Sequence, residues 1–232
     1  LGLTVFDHLE EFRRRLIFIL IFYFLSVVVS YFFVDNILLF IQKPLTSLIY
    51  IHPAELFIAR IKIALSLGIF LTFVCFIFQL YLYLKPALKE GRLRFSFGYL
   101  FLIVLFFYLG IVLGYLLFLP GLLNFLLNFE AGNISAMITV SNYISFLFML
   151  LFSFGIIFII PLVVLFSVRS GLVEVGLLKK GRKYIYIASF ILAALLTPPD
   201  VFTQVVLAVP LILLFELSIL ISSFSVYNNS KK

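Results

Sequence analysis

The sequence predicts an all-α, polytopic integral membrane protein with six transmembrane helices, and three observations carry that prediction. Of 232 residues, 65% are hydrophobic and 12% charged, with a mean hydropathy of +1.28. Soluble domains are about half apolar and about a quarter charged, so this much apolar side chain has no soluble hiding place at this length. Apolar runs of about 20 residues, the length that crosses about 30 Å of hydrocarbon, recur along the chain, and only helices satisfy their own backbone there. Basic residues gather in alternate connections between those runs.

Four runs, 16–34, 63–84, 95–119 and 143–168, meet the length requirement directly. A fifth, 184–196, and a sixth, 201–221, are the short ones, and they flank the break Thr197-Pro198-Pro199-Asp200. At about 1.5 Å per residue the fifth covers roughly 20 Å, so it ends within the membrane or thins the bilayer around it. Fourteen Lys and Arg fall in the N-terminal segment, the second and fourth connections and the C-terminal tail, against Lys43, Arg60 and Lys62 on the other side. By the positive-inside rule both termini are cytoplasmic or the organelle equivalent. The expected location is the inner membrane of a bacterium, or a mitochondrial inner or thylakoid membrane. The apolar run after Arg15 is too long for a cleavable signal and reads as a first span. One membrane domain, 1–232, is expected, with outward connections at 35–56 and 120–142 and a short interfacial helix over 121–129.

The net charge of +7 is spread between spans, so it reports orientation and implies no nucleic-acid partner. Phe occurs 31 times and Trp never, a bias of composition more than of chemistry, because Phe and Leu serve alike in lipid. Cys75 is the single cysteine, His8 and His52 fall on opposite sides, and no nucleophile and base share a face. No metal, cofactor or enzymatic centre is expected.

Three constellations stand out. In Thr4-Val5-Phe6-Asp7-His8-Leu9-Glu10-Glu11-Phe12-Arg13-Arg14-Arg15-Leu16, Thr4 and Asp7 fit a helix start, and Val5, Leu9, Phe12 and Leu16 form an apolar stripe. The helix therefore begins outside the membrane and runs into the first span. Glu10 with Arg14 and Glu11 with Arg15 have the spacing of surface ion pairs, which is the reading spacing favours. The functional reading is a carboxylate at the membrane surface awaiting an external guanidinium. In Gln79-Leu80-Tyr81-Leu82-Tyr83-Leu84-Lys85-Pro86, proline is expected to stop the helix behind ordinary interface anchors. In the third, Asp200 is by default the N-cap of the sixth helix and otherwise a ligand. Gln204 and Glu216 are polar groups in an apolar helix. Glu216 lies about 22 Å along it, where an interfacial position and a functional one are equally well supported.

Taken in order, His8-Leu9-Glu10-Glu11-Phe12-Arg13-Arg14-Arg15-Leu16, Phe78-Gln79 with Lys85-Pro86-Ala87-Leu88, Phe118-Leu119-Pro120, Phe154-Gly155-Ile156-Ile157-Phe158 with Pro161, and Leu196-Thr197-Pro198-Pro199-Asp200-Val201-Phe202-Thr203-Gln204 resemble TatC, the multispanning receptor subunit of the twin-arginine protein translocase. The resemblance implies a concave six-helix protein that binds twin-arginine signal peptides at its cytoplasmic face. With single-span translocase subunits it would move folded cargo, driven by the proton-motive force. Self-association is compatible with it. Glu11 matches the acidic position of the family's N-terminal motif and Arg13 and Arg15 its basic ones, with His8 at the motif's start, which makes Glu11 the leading signal-binding candidate. Pro44 resembles the proline of the first outward loop, Pro86 belongs to the Pro-Ala-Leu sequence, and Asp200 and Gln204 match the turn before helix six. With Glu216 these are the expected partner or translocation contacts.

Two positions depart from the pattern. The acid that usually follows Pro-Ala-Leu is replaced by Arg92, with Glu90 two residues earlier as its substitute, and the polar residue usual before Pro161 is replaced by Ile159. The competing classes are an ion- or proton-coupled small-molecule transporter and a scaffold subunit of a membrane complex. Transporters place ionisable groups near the midplane between repeated halves, and this chain has neither.

Overall fold

A computed structural model describes residues 5–44, 48–88, 97–127, 138–196 and 201–229, with side chains for 9–44, 48–83, 98–125, 138–194 and 201–224. Eight α-helices are present among them: α1 (Val5–Phe32), α2 (Val34–Ile41), α3 (Pro53–Leu88), α4 (Phe97–Leu113), α5 (Leu119–Leu127), α6 (Val140–Arg169), α7 (Val175–Leu196) and α8 (Val201–Asn229). A single wide π turn, Gly114–Phe118, joins α4 to α5. Five stretches are long and apolar enough to span a membrane: Leu9–Phe32, Pro53–Tyr83, Gly98–Phe125, Val140–Arg169 and Val201–Phe224. The sixth expected span is α7. Its 22 residues are long enough to cross, but Lys179, Lys180, Arg182 and Lys183 occupy its first half, leaving only 184–196 apolar.

Several boundaries differ from the sequence expectation. Pro86 does not stop the helix, because α3 continues to Leu88. α7 begins at Val175 rather than 184, its basic first turns being helical rather than loop. α8 is not short: it carries on past 221 to Asn229, and Ser218 and Ser223 fold their hydroxyls back onto the helix, Ser223 donating to the Ile219 carbonyl at 2.8 Å. Pro161 and Pro210 lie inside α6 and α8 without ending them, as transmembrane helices tolerate.

The chain packs as two compact units. The first holds α1, α2, α3 and the beginning of α6. Here α1 and α3 run antiparallel and approach tightly at Gly68, where an added Cβ would lie 2.5 Å from Val27 Cγ2 and 3.3 Å from the Val27 amide nitrogen. At one end Ile49 and Thr139 form an isolated parallel bridge, and the Tyr143 hydroxyl donates to the Ile41 carbonyl at 2.6 Å. Glu55 closes the same corner, its two oxygens accepting the Ser141 and Ile51 amides at 3.1 and 2.9 Å. Lys62 donates to the Ser141 and Ser145 hydroxyls at 2.6 and 2.8 Å.

The second unit holds α4, α5, the rest of α6, α7 and α8. Phe107, Leu119, Leu122, Phe154, Leu207 and Ile219 are among its fully buried side chains. Tyr99 reaches across from α4 to the Leu162 carbonyl of α6. α6 ends on Gly171 at φ +73°, with Leu172 N–H bonding Ser167 O and Gly171 N–H bonding Val168 O, a Schellman closure that uses glycine's freedom at the left-handed position.

Candidate functional site

The amphipathic start of α1 sets out the candidate residues one turn apart. Glu10 pairs with Arg13 at 3.1 Å, not with Arg14 as its spacing suggested, and both side chains are well exposed, so the pair contributes little. Glu11 and Arg15 form the expected i,i+4 pair, and it differs from the first in burial: Arg15 is 22% and Glu11 33% exposed. Two guanidinium nitrogens of Arg15, Nε and Nη2, both donate to the same oxygen, Glu11 Oε1. Its third, Nη1, donates to Gln79 Oε1 on α3 at 3.0 Å. Arg15 therefore bridges α1 to α3, reaching a partner 64 residues away. Glu11 Oε2 accepts no hydrogen bond from the described residues.

Beyond Arg15 the two helices open into a groove of about 310 Å³, lined by apolar side chains of both, with Arg15 and Gln79 its polar members. Leu16, Ile19 and Leu20 of α1 face Phe76 and Leu80 of α3 across it. Phe12 and Tyr83 close one wall, their rings edge-to-face with centroids 5.9 Å apart. The helices approach closely at Gly68, which has no side chain, and the groove lies toward the end that carries Phe12, Phe76 and Tyr83.

The remaining candidates lie elsewhere. His8 is in the first turns of α1 and Pro86 near the end of α3, with side chains outside the described set. Glu90 and Asp200 fall outside the described residues altogether. Pro44 sits half-buried in the turn after α2. In the second unit Gln204 of α8 donates to the Phe190 carbonyl of α7 at 3.0 Å, a clasp near the ends of the two helices. Glu216 is held by both oxygens: the Tyr186 hydroxyl donates to Oε1, and Arg182 Nη2 lies 2.8 Å from Oε2. Glu11 and Arg15 are thus brought together in one unit, while Gln204 and Glu216 both serve the α7–α8 pairing in the other.

The sequence reading missed Gln79 as a site residue, although a glutamine amid Phe76, Phe78 and Leu80 is the kind of polar group in an apolar span that calls for a partner. It also missed Phe12 and Tyr83 as groove walls, and Tyr186 and Arg182 as the partners of Glu216. Nothing in the sequence joins those pairs.

Comparison with known proteins bears on all of this. The family model described as TatC, Sec-independent protein translocase protein, matches residues 7–210. A Sec-independent protein translocase protein TatC from Carboxydothermus hydrogenoformans is 35% identical over 227 residues, 96% of this chain and 93% of the relative. One from Listeria innocua is 30% identical over 236 residues, 100% of this chain and 96% of the relative. A crystal structure of the twin-arginine translocase receptor TatC superposes with a TM-score of 0.84 at 30% identity, covering 94% of this chain and 99% of that one. With the apolar spans and the Glu11–Arg15 motif in place, the chain belongs to the TatC family of Sec-independent protein translocase subunits, multi-pass proteins of the membrane.

Proposed function

We propose that the chain is the signal receptor of its translocase, capturing the paired arginines of a twin-arginine signal peptide at the head of the α1–α3 groove. The observation that carries this reading is the half-engaged carboxylate of Glu11: one oxygen is held by Arg15, the other accepts no hydrogen bond from the described residues, and its partner Arg15 lines the head of an apolar groove. A carboxylate accepts guanidinium by two parallel hydrogen bonds, and a free oxygen on a part-buried acid provides the first of them. Arg15 need not leave, because Gln79 gives its guanidinium a second anchor while Glu11 turns to the newcomer. Glu90 is the proposed acceptor for the second arginine. The apolar residues that follow the arginines in such a signal then run along Leu16, Ile19, Phe76 and Leu80.

In this reading both termini are cytoplasmic, in a bacterial inner membrane or its organelle counterpart. Single-span translocase subunits complete the machine, and the proton-motive force drives folded cargo across. The short apolar part of α7 thins the bilayer beside the bound cargo, lowering the cost of crossing for a large polar object.

The test is a photo-crosslinker placed beside the arginine pair of a signal peptide. Glu11→Lys should abolish crosslinking to a signal bearing Arg-Arg while membrane insertion stays normal, and a Lys-Lys signal should crosslink poorly to the unaltered chain. Undiminished crosslinking to the Lys variant would remove Glu11 from the site.

A further inference from the structure

We infer that the cleft between α7 and α8 beside Lys179 and Arg182 binds the phosphodiester head group of an anionic phospholipid. This cleft has a volume of about 510 Å³ and is lined by Lys179, Arg182, Ile219, Leu220, Ser223 and Phe224. It is separate from the signal groove and plays no part in the function proposed above.

Its charges do not balance. Glu216 is the counter-ion of Arg182 and its second oxygen accepts the Tyr186 hydroxyl, so its single negative charge is already matched by one cation. Lys179 has no ion-pair partner among the described residues, which leaves the cleft one positive charge in surplus. Arg182 Nε, moreover, is buried without a hydrogen-bond acceptor among the described residues. A buried guanidinium N–H left unpaired is costly, and an incoming oxygen would satisfy it. Ser223 belongs to the wall and not to the ligands, because its hydroxyl already donates to the Ile219 carbonyl.

The chemistry of a ligand follows. It carries one negative charge, offers acceptor oxygens and no obligatory donor, and has hydrocarbon attached, because Leu220 and Phe224 extend the wall as 50% and 70% exposed apolar side chains on a membrane-spanning helix. Free phosphate meets the first two requirements and gains nothing from the third. A phospholipid with a single net charge meets all three, and basic clefts between transmembrane helices at the membrane surface are suited to such head groups.

Native mass spectrometry of the full chain in detergent tests this, with phosphatidylglycerol, phosphatidylcholine of the same acyl chains, and inorganic phosphate each added separately. One retained phosphatidylglycerol is expected, in preference to phosphatidylcholine. Lys179→Gln should weaken its retention about fivefold, the worth of one basic residue at a membrane surface. Arg182→Lys, which keeps a cation for Glu216 but removes Nε, should weaken it as well. Lys180→Gln makes the same change in net charge one residue away, outside the cleft lining, and should leave retention unaltered. Equal losses in Lys179→Gln and Lys180→Gln would reduce the effect to general surface charge and overturn the site. Retention of phosphatidylcholine or of phosphate alone at the level of phosphatidylglycerol would overturn the assignment of the ligand.

Discussion

Replacing Gly110 by alanine should loosen α4 from α6, even though alanine is the better helix former. A Cβ built at Gly110 lies 2.4 Å from the Phe154 carbonyl oxygen and 2.9 Å from its carbonyl carbon, where ordinary contact begins at 3.4 Å. The obstacle is backbone, so no rotamer change relieves it, and α4 must retreat by about 1 Å. A gap of that size forfeits about a quarter to a half of the dispersion well for each contact along the seam. The seam includes the edge-to-face rings of Phe107 and Phe152, 6.4 Å apart. Overpacking of this kind costs about 1–3 kcal/mol, and the helix propensity of alanine over glycine returns about 1 kcal/mol. Because the clash is with backbone at 2.4 Å, its cost falls in the upper half of that range, about 2–3 kcal/mol, so the net loss is about 1–2 kcal/mol, or a fall in Tm of roughly 2–8 °C for a chain of this size. Thermal unfolding of the purified full chain in one detergent measures it, with Gly121→Ala as the control, since that position has nothing within 4 Å. The control should melt at or above the parent. If Gly110→Ala does the same, the close approach of α4 to α6 is wrong.

Gln79→Leu removes the second anchor of Arg15 while preserving volume. It should cost about 1–2 kcal/mol in thermal stability and weaken binding of an Arg-Arg signal, because Arg15 then stays committed to Glu11; unchanged affinity would show that Arg15 moves without help. Glu55→Ala frees the Ile51 and Ser141 amides together, and hydrogen exchange should quicken at both sites while the α7–α8 pair is unaffected. Tyr186→Phe deletes one of the two partners of Glu216 and should leave the ion pair to Arg182 intact, so a combined variant with Arg182→Gln should lose far more stability than Tyr186→Phe alone.

Much of the fold was legible in the sequence because the membrane imposes a length. Runs 143–168 and 95–119 fall on α6 and on α4 with its π turn almost residue for residue, since lipid leaves an apolar run of about 20 residues one way to satisfy its backbone. What failed was the reading of polar residues as breaks. Lys179, Lys180, Arg182 and Lys183 looked like a loop by hydropathy, yet they extend α7, because long basic side chains are good helix formers that carry their charge out of the hydrocarbon. Pro86 looked like a stop and lies inside α3. In the candidate site, the Glu11–Arg15 pair followed from helical spacing, whereas Gln79 had a polar character but no visible partner. Partners 64 residues apart are set by the packing of α1 on α3, and that packing turns on one missing side chain at Gly68.

The π turn between α4 and α5 has a consequence for how this chain tolerates length change. Such a turn accommodates a residue more than an α-helix would over the same path, so Gly114–Phe118 acts as an angular spacer. Deleting one residue there would let the stretch relax to ordinary helix over the same path, so the helix after it would keep its direction and its facing. Leu119, Leu122 and Leu123 would stay buried and Phe125 would stay on the ring of Phe202 on which it stacks, whereas the same deletion within the regular turns of α4 or α5 would rotate everything after it by about 100°. Elsewhere in this span a lost residue would change the azimuth of an entire helix; here the slack is already built in.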